Sequence, residues 1–322
     1  MARTPAAPYR VTGAPDDRTE NNVKLLAGDA VMLPWIEHAV QLIQDAFPRP
    51  SMEITAALLR WHLTGVRFGT VRPLAAAATL HGRLIGFAGA TPRPLRCGGH
   101  TAVGHVVSFV SVAASERGQG VAAQLYDRLL QALAAENGAV LTFAADAGAG
   151  MAALERAYPR NGFSGHSLGW LAAFGVLRRG VRSDVAPAVS GNDGVLTLAD
   201  DERLGRHLDL DPRGSARVGS AGARAVAAWR LTNELREPLL LLEGLPSPLD
   251  SNTLRNAVVA AFEAFPDHAK LLVVPNYPVA AAAVAAAVGL RRLAGPTYRA
   301  WIWSREAGDP LLKARSTAHP VL

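Results

Sequence analysis

Apolar positions recur every three or four residues in several segments of the first half of the chain, which is the spacing of an amphipathic helix. Ile36, Val40 and Ile43 show this spacing clearly. The pattern predicts helices over residues 34–47, 51–63, 121–136 and 151–158. Ser51 is expected to cap the second of these helices, and Pro159 is expected to end the fourth.

Runs of apolar and β-branched residues between these segments predict strands. The strands are expected at residues 23–26, 74–80, 84–90, 105–112, 140–144 and 163–177. His81, Gly82 and Arg83 form the expected turn of a hairpin. Pro92 and Pro94 make segment 91–99 a predicted loop.

The second half of the chain repeats part of this order. Strands are predicted at 238–244, 269–274 and 297–304, with helices at 253–265 and 279–288. Residues 178–194 are rich in Arg, Ser, Gly and Pro and predict a linker. The expected organisation is a tail (1–20), a first domain (21–178), a linker (179–194), a second domain (195–306) and a C-terminal tail (307–322). Laid on one another, the halves match Leu141 with Leu271, and Gly162–Phe163 with Gly289–Leu290.

Composition narrows the possible classes of protein. The chain is 49% hydrophobic and 19% charged, which favours packed cores over disorder. A lone cysteine, Cys97, excludes an internal disulfide and a cysteine-rich metal site, and it suits a cytoplasmic location. The most apolar run, 279–290, is too short for a membrane span. No His, Asp or Glu cluster has metal-ligand spacing, so no metal is expected.

The chain is basic, with a net charge of +6, but its arginines are scattered. No stretch interleaves them with aromatic residues as a nucleic-acid surface would. We therefore expect neither a nucleic acid nor a membrane as partner. The oligomeric state stays open.

The segment from Ser115 to Ala122 carries the clearest chemistry, because it joins a predicted strand to a predicted helix. Gly118 and Gly120 remove side chains where a ligand would approach the main chain. The free N–H groups at the start of the helix form an anion site suited to a pyrophosphate. Arg117 adds a positive charge. A tight turn before an ordinary helix is the alternative.

Two motifs resemble those of the GCN5-related N-acetyltransferase (GNAT) superfamily. The superfamily's acyl-CoA loop reads Arg/Gln-x-x-Gly-x-Gly/Ala, which Arg117, Gly120 and Ala122 fit. Its second signature, Tyr-x-x-x-Gly-Phe, is matched by Tyr158 to Phe163. The resemblance covers residues 23–177 and implies an α/β fold: two tandem GNAT-like domains, each a mixed, mostly antiparallel sheet flanked by helices.

The resemblance also implies the roles of individual residues. Acetyl-CoA, as acyl donor, would pair its pantetheine arm with the main chain of Val110 and Val112. The pyrophosphate would lie on the loop and the first helical turn, formed by Arg117, Gly118, Gln119, Gly120, Val121 and Ala122. Tyr158 would act as general acid to the leaving thiolate, because a phenol and a thiol have comparable pKa values. Packing of a short helix is its alternative role.

A general base is harder to find. Many relatives place Glu near the position of Val106, and this chain has no carboxylate there. His105 and Ser108 are the nearest candidates, with a chain of water molecules as another option. His62 and Trp61 lie on the helix that borders the acceptor site in this fold, where either could simply pack. Met151 replaces an Asn that often contacts pantetheine.

In the second half, two prolines and Asp250 stand where a phosphate loop would be, and Ala285 aligns with Tyr158. We therefore expect a degenerate repeat that completes the acceptor cleft or stabilises the first domain. With its active half first, the chain is more similar to tandem acetyltransferases of antibiotic biosynthesis, such as that of clavulanic acid, than to mycothiol synthase.

The sequence therefore predicts an acyl-CoA-dependent N-acetyltransferase that acts on a small-molecule amine. A non-catalytic acyl-CoA-binding protein and a protein N-acetyltransferase are the alternatives.

Overall fold

The computed structural model describes residues 22–27, 32–47, 52–136, 138–145, 149–184, 195–218, 223–232, 235–245 and 250–317. The α-helices of this part are α1 (Ile36–Ala46), α2 (Ala56–Leu63), α3 (Val121–Ala135), α4 (Ala149–Arg160), α5 (Glu202–Asp209), α6 (Ser251–Ala264) and α7 (Ala282–Val288). Short 3-10 turns occur at Leu33–Trp35, Ala114–Glu116, Arg178–Gly180, Val279–Ala281 and Pro310–Lys313.

The strands fall into two groups along the chain. The first group is β1 (Asn22–Ala27), β2 (Leu74–Leu80), β3 (Arg83–Cys97), β4 (His100–Val112), β5 (Val140–Ala145) and β6 (Ser164–Leu177). The second group is β7 (Val195–Leu198), β8 (Ser215–Arg217), β9 (Arg224–Thr232), β10 (Leu235–Glu243), β11 (Leu271–Pro278), β12 (Arg291–Arg292), β13 (Tyr298–Ser304) and β14 (Ser316–Thr317). The mixed, mostly antiparallel sheet flanked by helices confirms the predicted fold class.

All of these strands belong to one sheet. Its main path runs β1-β2-β3-β4-β5-β13-β6-β11-β10-β9-β8, while β7 pairs with β3 and β14, and β12 pairs with β6. Two neighbouring pairs on this path are parallel, β4 with β5 and β10 with β11. Each of these pairs is joined by a crossover that contains a helix, α3 in the first half and α6 in the second.

The two halves of the sheet exchange strands. β13 comes from the second half of the chain but lies between β5 and β6, antiparallel to both. β6 in turn continues beyond Leu171 to pair with β11 and β12 of the second half. The two predicted domains, residues 21–178 and 195–306, stay predictions. Strands from both ranges belong to one continuous sheet.

Several local predictions need correction. The segment 91–99, expected as a loop, continues β3 as far as Cys97. The Pro94 carbonyl accepts a hydrogen bond from the Ala199 amide, on the side of β3 away from β4. Because the carbonyl and the nitrogen of one strand residue point to the same side, the nitrogen of Pro94 also faces away from β4, and the strand tolerates a proline there. The residue that caps α2 is Thr55, whose side chain accepts from the Leu58 amide. Ser51, the expected cap, lies outside the described residues.

The sheet separates two apolar cores in the first half. On one face α3 and α4 pack on Val107, Val140 and Ala144. On the other face Val106 and Leu141 belong to a second core. Because successive side chains of a strand point to opposite faces, each side chain of β4 before its bulge faces one of these two cores.

No helix in the described part of the chain is long and apolar enough to cross a membrane.

Candidate active site

β4 and β5 separate towards their carboxyl ends. The two strands are paired at His105–Val140, Val106–Leu141 and Val107–Thr142, and at no residue beyond Val107. β4 carries a bulge at this point, where Phe109 adopts a positive φ of 57°. β5 is meanwhile held by β13 on its other side. The residues of β4 after Val107, including Val110 and Val112, therefore line a gap in the sheet.

The loop after β4 leads into the amino end of α3. Gly118 and Gly120 adopt φ values of 82° and 80°, a region that only glycine enters without strain. A Cβ atom at either position would meet nothing within 4 Å, so the space beside both residues is open. Among the described residues, the amides of Gly118, Gly120, Val121 and Ala122 have no hydrogen-bond acceptor. The loop thus presents unpaired donors at a helix amino end, as an anion site requires.

Arg117 fixes this loop against its surroundings. Its guanidinium donates to the Val112 carbonyl over 3.4 Å and to the Ala46 carbonyl at the end of α1 over 3.3 Å. The side chain is exposed, and its charge lies beside the loop. Gln119 donates to the Ser115 carbonyl and also stabilises the loop from within.

The corresponding helix of the second half begins differently. Asp250 precedes α6, and its carboxylate accepts hydrogen bonds from the Thr253 amide at 2.8 Å and the Thr253 hydroxyl at 2.6 Å. Hydrogen bonds from the Thr253 side chain and amide lower the pKa of Asp250. A carboxylate already occupies this helix end, so a phosphate would meet a negative charge there. The preceding residues 246–249 lie outside the described residues.

Tyr158 lies fully buried at the carboxyl end of α4. Its hydroxyl has no hydrogen-bond partner among the described residues. Burial, with a further contribution from Tyr126, raises the pKa of Tyr158 well above its usual value, and the nearby Thr142 hydroxyl offsets the rise only in part. The phenol therefore stays protonated and can donate a proton.

The second half of the chain supplies a wall of the Tyr158 environment. Trp303 of β13 stacks on the Tyr158 ring, with centroids 4.5 Å apart, and its indole donates to the Thr142 hydroxyl at 3.1 Å. The sequence does not reveal this contact. Residues 297–304 are predicted as a strand, but neither periodicity nor a motif shows that this strand lies beside β5.

The two candidate bases lie on opposite faces of the sheet. His105 faces the side of Val107, and Ser108 faces the side of Val106. The His105 ring donates to the Arg72 carbonyl over 3.3 Å, and burial lowers the pKa of His105 to about 4. Its imidazole is therefore neutral and already engaged by the main chain.

Ser108 is paired instead with His62 of α2. The His62 Nε2 atom lies 3.2 Å from the Ser108 hydroxyl, at the residue that follows the last β4–β5 pair. Burial lowers the pKa of His62 well below its usual value, and the charge of Arg93 acts in the same direction. The structure thus places a neutral histidine and a hydroxyl at the gap, on the face opposite Tyr158. The roles of Tyr158, His105 and Ser108 stay predictions.

Comparison with known proteins agrees with this geometry. Residues 36–163 match the model of the acetyltransferase (GNAT) family. Among curated proteins, no sequence matches the chain.

Several solved structures are similar to this chain over most of its length. N-myristoyltransferase of Saccharomyces cerevisiae with bound myristoyl-CoA has a TM-score of 0.56 at 8% identity, covering 92% of this chain and 87% of that one. A proposed acetyltransferase of Pyrococcus horikoshii has a TM-score of 0.51 at 11% identity, covering 95% and 98%. Eis1 of Mycobacterium abscessus has a TM-score of 0.47 at 15% identity, covering 92% and 76%. At these identities, the first two likenesses show a shared fold.

Proposed function

We propose that the chain transfers an acetyl or other short acyl group from acyl-CoA to the amine of a small molecule, because residues 36–163 match the GNAT family model. The amine attacks the thioester directly. One site, in the first half of the chain, does this chemistry. The observation that carries the proposal is the contrast between the two helix ends: α3 begins with unpaired amides after Gly120, whereas α6 begins under the carboxylate of Asp250.

The gap between β4 and β5 explains how donor and acceptor meet. Apart from the Val112 carbonyl, which accepts from Arg117, the main chain of β4 beyond Val107, with Val110 and Val112, is free to pair with the pantetheine arm as a further strand would. The pyrophosphate then reaches the α3 amides and the charge of Arg117. Tyr158 approaches the sulfur from the α3–α4 face, and His62 with Ser108 approaches from the opposite face.

This arrangement divides the proton transfers between the two faces. The protonated Tyr158 gives its proton to the thiolate that leaves when the C–S bond breaks. The amine must lose a proton as its nitrogen forms the new C–N bond. We infer that the neutral His62–Ser108 pair, rather than His105, accepts that proton, directly or through water. We further propose that the second half is a tandem repeat with a structural role. In support, its Leu290 amide bonds to the Ala285 carbonyl as the Phe163 amide bonds to the Tyr158 carbonyl.

Acetyl-CoA is expected to bind once per chain, and Gly120→Glu should abolish that binding. The substitution forces a side chain into a positive φ and places a carboxylate at the anion site. Gly120→Ala is the matched control. Its Cβ meets nothing within 4 Å, so it adds strain without charge and should weaken binding far less. Isothermal titration calorimetry measures both effects, and two equivalent sites per chain would refute the assignment.

Acyl transfer itself is tested by following thiol release from acetyl-CoA with a panel of small amines and with peptides that have free amino termini. Turnover of a small amine above the rate of CoA hydrolysis is expected. Binding of one acetyl-CoA without turnover of any amine would favour a non-catalytic acyl-CoA-binding protein. Turnover confined to the peptides would favour a protein N-acetyltransferase.

A further inference from the structure

A group of charged side chains is buried where α5, β9 and β10 meet β3 and α2. The group consists of Arg93, Arg213, Arg224, Asp211 and Glu243, and we call it the charge cluster. Four of these side chains are buried, and that of Arg213 is 10% exposed. Arg213 and Arg224 both bind the Asp211 carboxylate, at 2.7 and 2.9 Å. Arg213 also lies 3.7 Å from Glu243. Burial lowers the pKa of Arg93, and the charges of Arg224 and Glu243 also act on it, so this first-half residue joins the four from the second half.

The charges of the cluster do not balance. Three guanidinium groups face two carboxylates, so one positive charge is left over. Arg93 carries it, because among the described residues no carboxylate lies within ion-pair distance of its guanidinium. Arg93 is fully buried, and burial lowers its pKa to about 10, so the group is still charged at neutral pH. A buried charge without a partner is strongly destabilising unless something else compensates it.

The unpaired edge of Arg93 has the geometry that suits a carboxylate. Its Nη1 atom donates to the Pro92 carbonyl at 3.0 Å, while Nε and Nη2 have no partner among the described residues. These two nitrogens present parallel N–H bonds. The same edge of Arg160 binds both oxygens of Asp127, and that of Arg213 binds Asp211. Of these three, Arg93 is the arginine whose edge is buried and has no acceptor in the part of the chain that the structure describes.

Other polar atoms around Arg93 are also without partners. The Nε and Nη1 atoms of Arg224, Nε2 of His207 and Nδ1 of His62 are buried and unpaired among the described residues. One acceptor, Oε2 of Glu243, shares this state. Several unpaired donors around a surplus positive charge indicate a site for an anion.

Arg93 shares a face of the sheet with the acyl-transfer gap. It pairs with Gly104 on β4, while Ser108 lies four residues further on the same face. That separation is roughly 13 Å along the strands. His62 lies between them: its Nε2 atom is 3.2 Å from the Ser108 hydroxyl, and its carbonyl accepts a hydrogen bond from Thr91, two residues before Arg93 on β3.

We propose that Arg93 and the charge cluster hold a carboxylate of the acceptor, so that the acceptor is an amino carboxylate whose amine lies several bonds from its carboxylate. The assignment of this anion to the acceptor rests on the proposed acyl transfer. The carboxylate binds the Nε and Nη2 edge of Arg93 with both oxygens, and the amine then extends past His62 to the gap beside Ser108.

The test compares 5-aminopentanoate with 5-aminopentanamide, in which an uncharged amide of the same shape replaces the carboxylate. Binding to the full chain without acyl-CoA is measured by calorimetry, and acyl transfer by thiol release. The wild-type protein is expected to prefer the carboxylate about ten- to a hundred-fold, the range for hydrogen bonds to charged groups. Equal affinity for the two compounds would overturn the proposal.

Two variants of Arg93 distinguish a loss of carboxylate binding from a loss of folding stability. Arg93→Met removes an unpaired buried charge and should leave the thermal stability of the ligand-free protein unchanged or higher, while the preference for the carboxylate disappears. Arg93→Lys keeps the charge but loses the two-nitrogen edge and should lose most of the preference. Arg206→Met, at an exposed position of α5, is the control and should keep it. If Arg93→Met kept the preference, the proposal would be wrong.

The measurements also distinguish this proposal from the proposed function. Carboxylate binding that needs Arg93, without transfer to any amine, would refute the acyl transfer and leave the anion site standing. Transfer to 5-aminopentanamide and 5-aminopentanoate at equal kcat/KM would support the acyl transfer and refute the anion site.

Discussion

A fragment that ends at residue 180 should aggregate and show no acyl transfer, although it contains every residue of the two family motifs. It lacks β13, which lies between β5 and β6 and pairs with both. Among the described residues, β6 pairs only with β13, β11 and β12, all of which come later in the chain. The fragment would therefore expose unpaired edges of β5 and β6, and such edges promote aggregation. The fraction left in the supernatant and the rate of thiol release measure the outcome.

A control can show that the missing strand causes the loss. Residues 296–306 joined to the fragment through a Gly-Ser linker would restore β13 and return Trp303 to the face of Tyr158. We expect a larger fraction in the supernatant than for the fragment alone. Recovery should be incomplete, because the second half of β6 still lacks its partners β11 and β12. A fragment 1–180 that stays dispersed and fully active would show that the second half is dispensable.

Tyr158→Phe should lower turnover about a hundred- to ten-thousand-fold, the usual range for a general acid, while acetyl-CoA binding changes little. The substitution removes a buried hydroxyl that has no partner within hydrogen-bond distance among the described residues, so the fold has little to lose. Because burial raises its pKa, Tyr158 is protonated throughout the neutral range, and turnover should not fall as the pH rises from 7 to 9 on its account.

Tyr126→Phe is the matched control, because Tyr126 is also buried and its ring lies 6.1 Å from that of Tyr158. It should keep turnover within a few-fold of the wild type. Single-turnover kinetics must first show that chemistry limits the rate. If the Tyr158 variant then turned over normally, the residue would have no part in the mechanism.

Local signals predict much of the first half. The helix around Leu125 and Leu129 and the hairpin at His81–Gly82 follow from short-range spacing and turn chemistry, which depend on neighbouring residues alone. The Tyr158 and Arg117 motifs are likewise continuous in sequence. β3 is the exception, because Pro92 and Pro94 indicate a loop unless the pairing partners on each side are known.

The exchange of β6 and β13 could not be predicted in this way. A period of two identifies a strand but not its neighbour, which depends on contacts far apart in sequence. The same limit applies to the charge cluster, whose members Arg93, Asp211 and Glu243 stand on three distant segments. For His105 and Ser108 the sequence predicts part of the arrangement. Their odd spacing on β4 indicates opposite faces, but only the structure shows which face holds His62.

The exchanged strand also bears on how the protein is made. Both GNAT motifs are present in the nascent chain once Phe163 has been added. Trp303 of β13, which stacks on Tyr158, is made about 140 residues later. Until β13 is made, the edges of β5 and β6 that pair with it stay unpaired and can contact other nascent chains. We therefore expect synthesis to yield no active intermediate, and a stop codon anywhere before residue 298 to cost the cell all of the activity.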